Sequence, residues 1–369
     1  MTLPKYTNTN LMIQYLIKIE LSLDRIRYTK LPKNYHEKVV QDLHISEIMH
    51  LSMLVGEPIG LDEAERVYLG KVLPSARSKH LLYSNYRNAL EFAKNYDPRH
   101  FVRPSSELIL HLNKLVSNRL SEDWESGRFR NFSEKPVPFY DDWYKLRDYY
   151  TSVNFEQYFD ELLDLLINRP NRIQPTIRYA LILYEIIDKA PLLIANQLTS
   201  IALLVTLSKE KEFDQYATFP IVKAIQFISK EIVEAYKLSK SRRDVTPFIE
   251  AFLYAMSIQI REQEDIYTNT LENKVKKHGD LKDKLNNRQI KALDHLEHTK
   301  SVTREEYSKM MGVSFMTAYR DLQDLLIQGF IEQMGVGRGT HYLIKGSPDE
   351  EMEDKNTDKE KLEVFSDLD

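Results

Sequence analysis

From Leu11 to Asp265 apolar residues return every three or four positions, the period of an α-helix that buries one face. This periodicity limits the fold more than any other feature of the chain. Glycine agrees with it, because 11 glycines in 369 residues are too few for an architecture of sheets and tight turns. The expected class is mainly α, and the chain is long enough for more than one domain. "LMIQYLIKIELSLDRI" places Leu11, Tyr15, Ile19 and Leu23 on one stripe. "PSSELILHLNKLVSNRL" opens on a Ser105/Ser106 cap and carries Leu108, Leu112 and Leu115 inward. "FEQYFDELLDLLINR" is an amphipathic helix stopped by Pro170. Pro175 starts "PTIRYALILYEIIDK", which is apolar on three sides and therefore central. Pro220 and Pro247 stand near the first turns of two later helices.

Composition narrows the function classes. Cysteine is absent, which excludes disulfides and thiolate metal sites and fits a cytoplasmic location. Lys18, Glu20 and Asp24 interrupt the first apolar segment, so neither a signal peptide nor a membrane span is expected. His44, His50, His80, His100 and His111 are scattered without ligand spacing. His295 and His298 lack a carboxylate cluster, so no metal site is expected. The net charge of −4 is uneven. From Gly346 onward the chain holds ten acidic and three basic residues, and this tail is read as disordered. The stretch from Ser121 to Trp143 is rich in aromatic and charged residues and reads as a long packed loop or a recognition flap.

Beyond Asp265 the pattern changes. Residues 266–285 read as a helical or flexible connector. "NNRQIKALDHLEH" turns Ile290, Leu293 and Leu296 inward. Thr303 and Glu306 form a capping box at the start of "TREEYSKMM". After a short turn, Ser314 caps a helix that Gly329 ends, with Phe315, Ala318, Leu322 and Leu325 as its inner stripe. "FIEQM" and "THYLI" are two strands around a glycine-rich tip. Helix, helix, turn, helix and hairpin is the order of a winged helix-turn-helix, whose third helix enters a major groove with its early residues nearest the bases. Ser314, Met316, Thr317 and Arg320 are thus candidate DNA-facing residues, and Arg338 on the hairpin tip is a candidate phosphate or minor-groove contact. Residues 286–345 hold eight basic and seven acidic residues, a weak footprint for binding phosphates. A protein-interaction or structural role therefore stays open beside DNA, as does an ion pair of Arg320 with Asp321 or Asp324.

One further segment, "KAPLLIANQLTSIALLVTL" from Lys189 to Leu207, joins two apolar helices through a turn at Ala190–Leu198. Many proteins place an anion-binding turn in such a position. This one has no glycine, no charge and no histidine.

In its layout the chain resembles the Fic/Doc (Fido) family. "LNNRQ", "EEYSKMMGVSFMTAYRDLQDLLIQGFIE" and "GVGRGTHYLI" follow the winged helices of its long bacterial class. "ESGRFR" (Glu125–Arg130) is similar to the family's pGxfR segment, and "PTIRYALILYEIIDKAP" to the helix before its catalytic loop. That loop reads HPFx(D/E)GNGRxxR in active members. The histidine takes a proton from the attacking hydroxyl, the acid holds Mg²⁺, Gly-Asn-Gly offers backbone amides, and the arginines hold phosphate. The resemblance places Ala190 at the histidine, Leu192 at the aromatic, Ile194 at the acid, Ala195 and Gln197 at the glycines, and Leu198 and Ile201 at the arginines. Pro191 and Asn196 alone remain, Pro191 for rigidity and Asn196 as a helix N-cap. The family's inhibitory helix, (S/T)xxxE(G/N), is similar to "SEIMHLSMLVGEPIG", where Val55 and Gly56 fall on the glutamate and glycine positions and Glu57 lies just beyond.

The resemblance implies an N-terminal helical region at 1–115, a Fic-like core at 116–265, a linker at 266–285, a winged helix-turn-helix at 286–345 and a tail at 346–369. The stripped loop predicts a catalytically degenerate protein with no cofactor. It would work as a DNA-binding, regulatory or scaffold protein, with DNA as the expected partner and a protein partner or homodimer beside it. The alternative is a protein adenylyltransferase using ATP and Mg²⁺ through substitute groups such as Glu185, Asp188 or Lys189.

Overall fold

A computed structural model describes residues 2–29, 31–72, 78–97, 99, 103–137, 139, 153–169, 172–208, 219–282, 285–299, 301–335 and 337–344, the side chains of 34, 272–284, 297, 298 and 338 excepted. His100, the aromatic residues Tyr140, Trp143, Tyr144, Tyr149 and Tyr150, and the acidic tail lie outside these residues, as does the Arg338 side chain. The chain divides into two compact units, Met1–Leu271 and Glu272–Asp369.

The helical period builds the first unit from α1 (Asn10–Tyr28), α2 (Lys33–Leu54), α3 (Leu61–Tyr68), α4 (Lys79–Asn95), α5 (Ser106–Ser117), α6 (Phe155–Leu163), α7 (Pro175–Lys189), α8 (Asn196–Leu207), α9 (Ile221–Phe227), α10 (Glu231–Arg242) and α11 (Thr246–Lys282), the last continuing past Leu271. Helix α8 is buried on nearly every side and packs against α4, α5, α7 and α9. A helix with no polar face can only sit in a core. Helix α6 runs into a π-helical turn, Asp164–Asn168, where a regular helix was expected. In α1 the expected stripe is half right. Ile19 and Leu23 are buried, but Met12 takes the place of Leu11, which is exposed. The N-terminal half of α1 is apolar on two faces, and periodicity alone does not choose between them. Among the described residues no helix is long and apolar enough to cross a membrane.

In the second unit α12 (Asn287–His298), α13 (Arg304–Met311) and α14 (Phe315–Ile327) pack with the strands β1 (Val302–Thr303), β2 (Ile331–Met334) and β3 (His341–Ile344). The expected caps form: Thr303 and Glu306 bond reciprocally, and the Ser314 hydroxyl accepts from the Thr317 amide. Asn286 and Gln289 make a second capping box. Antiparallel β3 lies between β1 and β2, pairing Tyr342 with both Val302 and Gln333. The third strand, β1, was not expected, because two residues carry no period. At Gly335 φ is +76°, and a Cβ there would meet the Gly339 carbonyl oxygen at 2.6 Å, so the hairpin can close only on glycine.

One buried charge bears on the stability of the first unit. Glu47 in α2 is 3% exposed and accepts from the amides of Val222 (3.1 Å) and Lys223 (3.2 Å), two of the unpaired N–H groups that open α9. Burial raises its carboxyl to about 7 against these bonds. The folded value stands above the ordinary 4.5. Between those pH values the folded chain holds a proton that the unfolded chain has released, so stability falls as pH rises through the window. Glu47→Gln lacks this titration. Relative to it, the native chain should lose about 2–3 kcal/mol of unfolding free energy between pH 4.5 and 8. Parallel urea-derived stability curves for the two proteins would refute this.

Candidate functional site

The turn at Ala190–Leu198 is built by its neighbours. Helix α7 ends at Ala190 in the left-handed region (φ 38°), and Ala195 caps α8 in the same region (φ 56°). An alanine there costs about 1–2 kcal/mol relative to its usual conformations. Ala195 thus holds a conformation that glycine adopts at less cost. Pro191 and Gln197 are buried, and Ala190, Leu192, Leu193, Ile194, Ala195, Asn196, Leu198 and Ile201 are each at most 5% exposed.

Two segments cover the turn. Phe129 bridges antiparallel to Leu192, the Arg130 amide donates to the Pro191 carbonyl (2.9 Å), and the Val137 amide to that of Leu193 (2.7 Å). The Arg130 guanidinium is itself buried. It donates to the carbonyls of Ala190 (2.7 Å), Lys189 (3.0 Å) and Glu134 (2.9 Å), and lies 5.0 Å from the centre of the Phe155 ring. The last carbonyls of α7 have no partner within the helix and carry the negative end of its dipole, so a cation is the matching cap. From α5, Asn113 donates to the Ile194 carbonyl and the Thr199 hydroxyl (both 3.0 Å) and accepts from the Gly127 amide (2.7 Å). Asn196 is not the N-cap expected of it. It is the first residue of α8, and its amide clasps Leu192, accepting from the backbone N–H (3.0 Å) and donating to the carbonyl (2.9 Å). Val55 ends α2, Gly56 follows with φ +78°, and the Glu57 backbone carbonyl accepts from the Tyr83 hydroxyl.

The ionisable groups nearest the turn are tied to one another. Tyr158 donates to the buried Glu185 carboxylate, whose pKa burial raises. Asp188 accepts from Tyr236 (3.0 Å), Lys189 (2.8 Å) and Lys240. Burial works to raise the Asp188 pKa, but the two lysines outweigh it and hold the carboxyl low. Among the described residues no group of three or more His, Asp or Glu side chains gathers as a metal site.

In the second unit one buried carboxylate orients α14. Asp321 accepts from Arg288 (2.8 and 3.1 Å), Asn286 (3.1 Å) and Tyr307 (3.0 Å), and its backbone carbonyl accepts from Gln289 (3.3 Å). Burial pushes its carboxyl up, and Arg288, Asn286 and Tyr307 together hold it below the usual range. Asp321 therefore belongs to Arg288 rather than Arg320. The inner stripe is Ala318, Asp321, Leu322 and Leu325, while Phe315, expected inside, is 55% exposed. Of the candidate DNA-facing residues, Ser314, Met316 and Arg320 are exposed and Thr317 is half-buried. The Ser314 and Thr317 hydroxyls bond each other (3.0 Å). Sequence reasoning missed Arg304, at the first position of α13, whose guanidinium lies 4.5 Å from the Tyr319 ring centre and 5.6 Å from that of Phe315. It also missed Asn113 and, although "ESGRFR" ends on Arg130, the pairing of that arginine, because their partners lie 81 and 60 residues away.

Arg130→Met keeps the apolar stem and removes the guanidinium donors to the carbonyls of Lys189, Ala190 and Glu134. It should lower the unfolding free energy by about 3 kcal/mol, the scale for leaving buried polar groups unpaired. A native-like urea midpoint would show that the guanidinium is dispensable.

No family model matches the sequence, and no curated protein matches it. Solved structures do. A Fic family protein from Desulfovibrio desulfuricans G20 aligns over 94% of this chain and 99% of its own, with a TM-score of 0.56 and 17% identity. Fic-1 from C. elegans aligns over 71% of this chain and 73% of its own, with a TM-score of 0.55 and 17% identity. At this identity the likeness speaks for the fold alone: the chain has the fold of the Fic family proteins.

Proposed function

We propose that this chain is a catalytically degenerate Fic-fold protein that acts as a DNA-binding regulatory or scaffold protein through a C-terminal winged helix. The observation that carries the first half is the burial of the whole Ala190–Leu198 turn, whose own side chains are uncharged and mostly apolar. The residues present do not fit a magnesium-bound triphosphate. No side chain at the motif positions carries charge or takes a proton, and the Leu192 amide is already bonded to Asn196. Bringing phosphate there would strip its water without compensation, at a cost of several kcal/mol per buried charge, roughly ten times the helix-end attraction. Of the candidate substitutes, Glu185 is engaged with Tyr158, and Asp188 with Tyr236, Lys240 and Lys189, the third candidate.

The second half rests on the helices and three-stranded sheet of the second unit and on the exposed N-terminal turns of α14, where Arg320 makes no ion pair among the described residues. A cation on a helix placed for a major groove can bond guanine, while the hairpin follows the backbone. Arg338, on that hairpin, is the proposed phosphate contact.

Two measurements test these halves separately. Calorimetry with ATP and Mg²⁺ should show no saturable heat at micromolar concentrations, and labelled ATP should leave no mark on the protein. Capture of the nucleotide that fails on Glu185→Ala would favour protein adenylylation instead. Duplex DNA should bind with an affinity that falls steeply with salt, and Arg320→Ala should weaken binding to a preferred sequence about tenfold. A flat salt dependence would remove DNA from the proposal.

A further inference from the structure

The outward side of α14 is unusual in what it lacks. Across its first two turns the exposed side chains are Phe315, Met316, Tyr319 and Arg320, with Met316 62% exposed. The Ser314 and Thr317 hydroxyls close the helix cap and bond each other, so neither is free to read a base at no cost. The carboxylate in this stretch, Asp321, is buried and held by Arg288. Within these two turns no carboxylate therefore stands ready for the cytosine amino group, the exposed Asp324 lying a turn beyond Arg320, and no amide for adenine before the half-buried Gln323. What remains is an apolar surface with one guanidinium.

We infer that α14 reads thymine, with Met316 and the neighbouring Phe315 ring packing on 5-methyl groups in the major groove and Arg320 as its one hydrogen-bonding base contact. Thymine is the base that presents a methyl group there, and apolar side chains distinguish it from cytosine by that group. Charge favours a nucleic acid as the occupant of this face. Arg304 stacks on Tyr319 and Phe315 and Arg320 follows next in the chain, so cations flank the apolar surface. The acidic residues of α13 are occupied, Glu305 by Lys309 and Glu306 by the Thr303 cap. The inference rests on the proposal that the second unit binds DNA.

The test uses the full chain and duplexes enriched from a randomised pool, resynthesised with deoxyuridine in place of thymidine. Deoxyuridine lacks only the 5-methyl group. Fluorescence anisotropy at fixed salt should show affinity falling about fourfold for each contacted thymine, the effect of exposing one methyl group. Met316→Ala, a change at an exposed position, should bind both duplex types more nearly alike while keeping the native salt slope. Equal affinity of the native chain for both duplexes overturns thymine reading and leaves DNA binding standing. Absence of salt-dependent binding to any duplex removes both. Self-association in sedimentation that Met316→Ala abolishes, with DNA affinity unchanged, would make this face a protein interface and also overturn the inference.

Discussion

The first unit depends on one buried guanidinium. Arg130 takes the orphan carbonyls at the end of α7 and in the same movement pins the segment from Phe129 to Val137 over the turn that follows. A charge is expensive to bury, and this one is tolerated because every direction it points in holds a carbonyl or an aromatic face. With it in place α7, the turn and α8 form a continuous core, and α8 is buried on nearly every side. Asn113 and Asn196 finish the work by bonding backbone that the tight turn leaves open.

The same arrangement explains how a turn of this shape is held without glycine or charge in it. Its backbone is held from outside, by Arg130, Asn113 and the bridge to Phe129, so the side chains within it can be apolar. Left-handed Ala195 shows this directly: its strain is accepted because the surrounding bonds fix the backbone.

In the second unit Asp321 has the corresponding part. A buried carboxylate with three side chains donating to it sets the rotation of α14 about its own axis. It holds Ala318, Leu322 and Leu325 inside and leaves Phe315 and Met316 outside. The chemistry offered to a partner is thus decided from the helix's hidden side. Replacing the clamp by apolar residues could keep the core, yet it would give up the registry that a polar contact enforces.

Sequence alone determined the mainly helical class, most helix positions, the caps at Thr303 and Ser314 and the absence of charge from the Ala190–Leu198 turn. Each of these is local: a period, a cap three residues from its partner, or the identity of the residues themselves. Tertiary structure decided which face of α1 is buried, the inversion of Phe315 and Asp321 in α14, and the role of Asn196. It also decided the pairing of Arg130, Asn113 and Glu47 with backbone 60, 81 and 175 residues away. A buried polar side chain is placed by the partner it finds, and a partner that distant is brought within hydrogen-bond reach only when the helices pack.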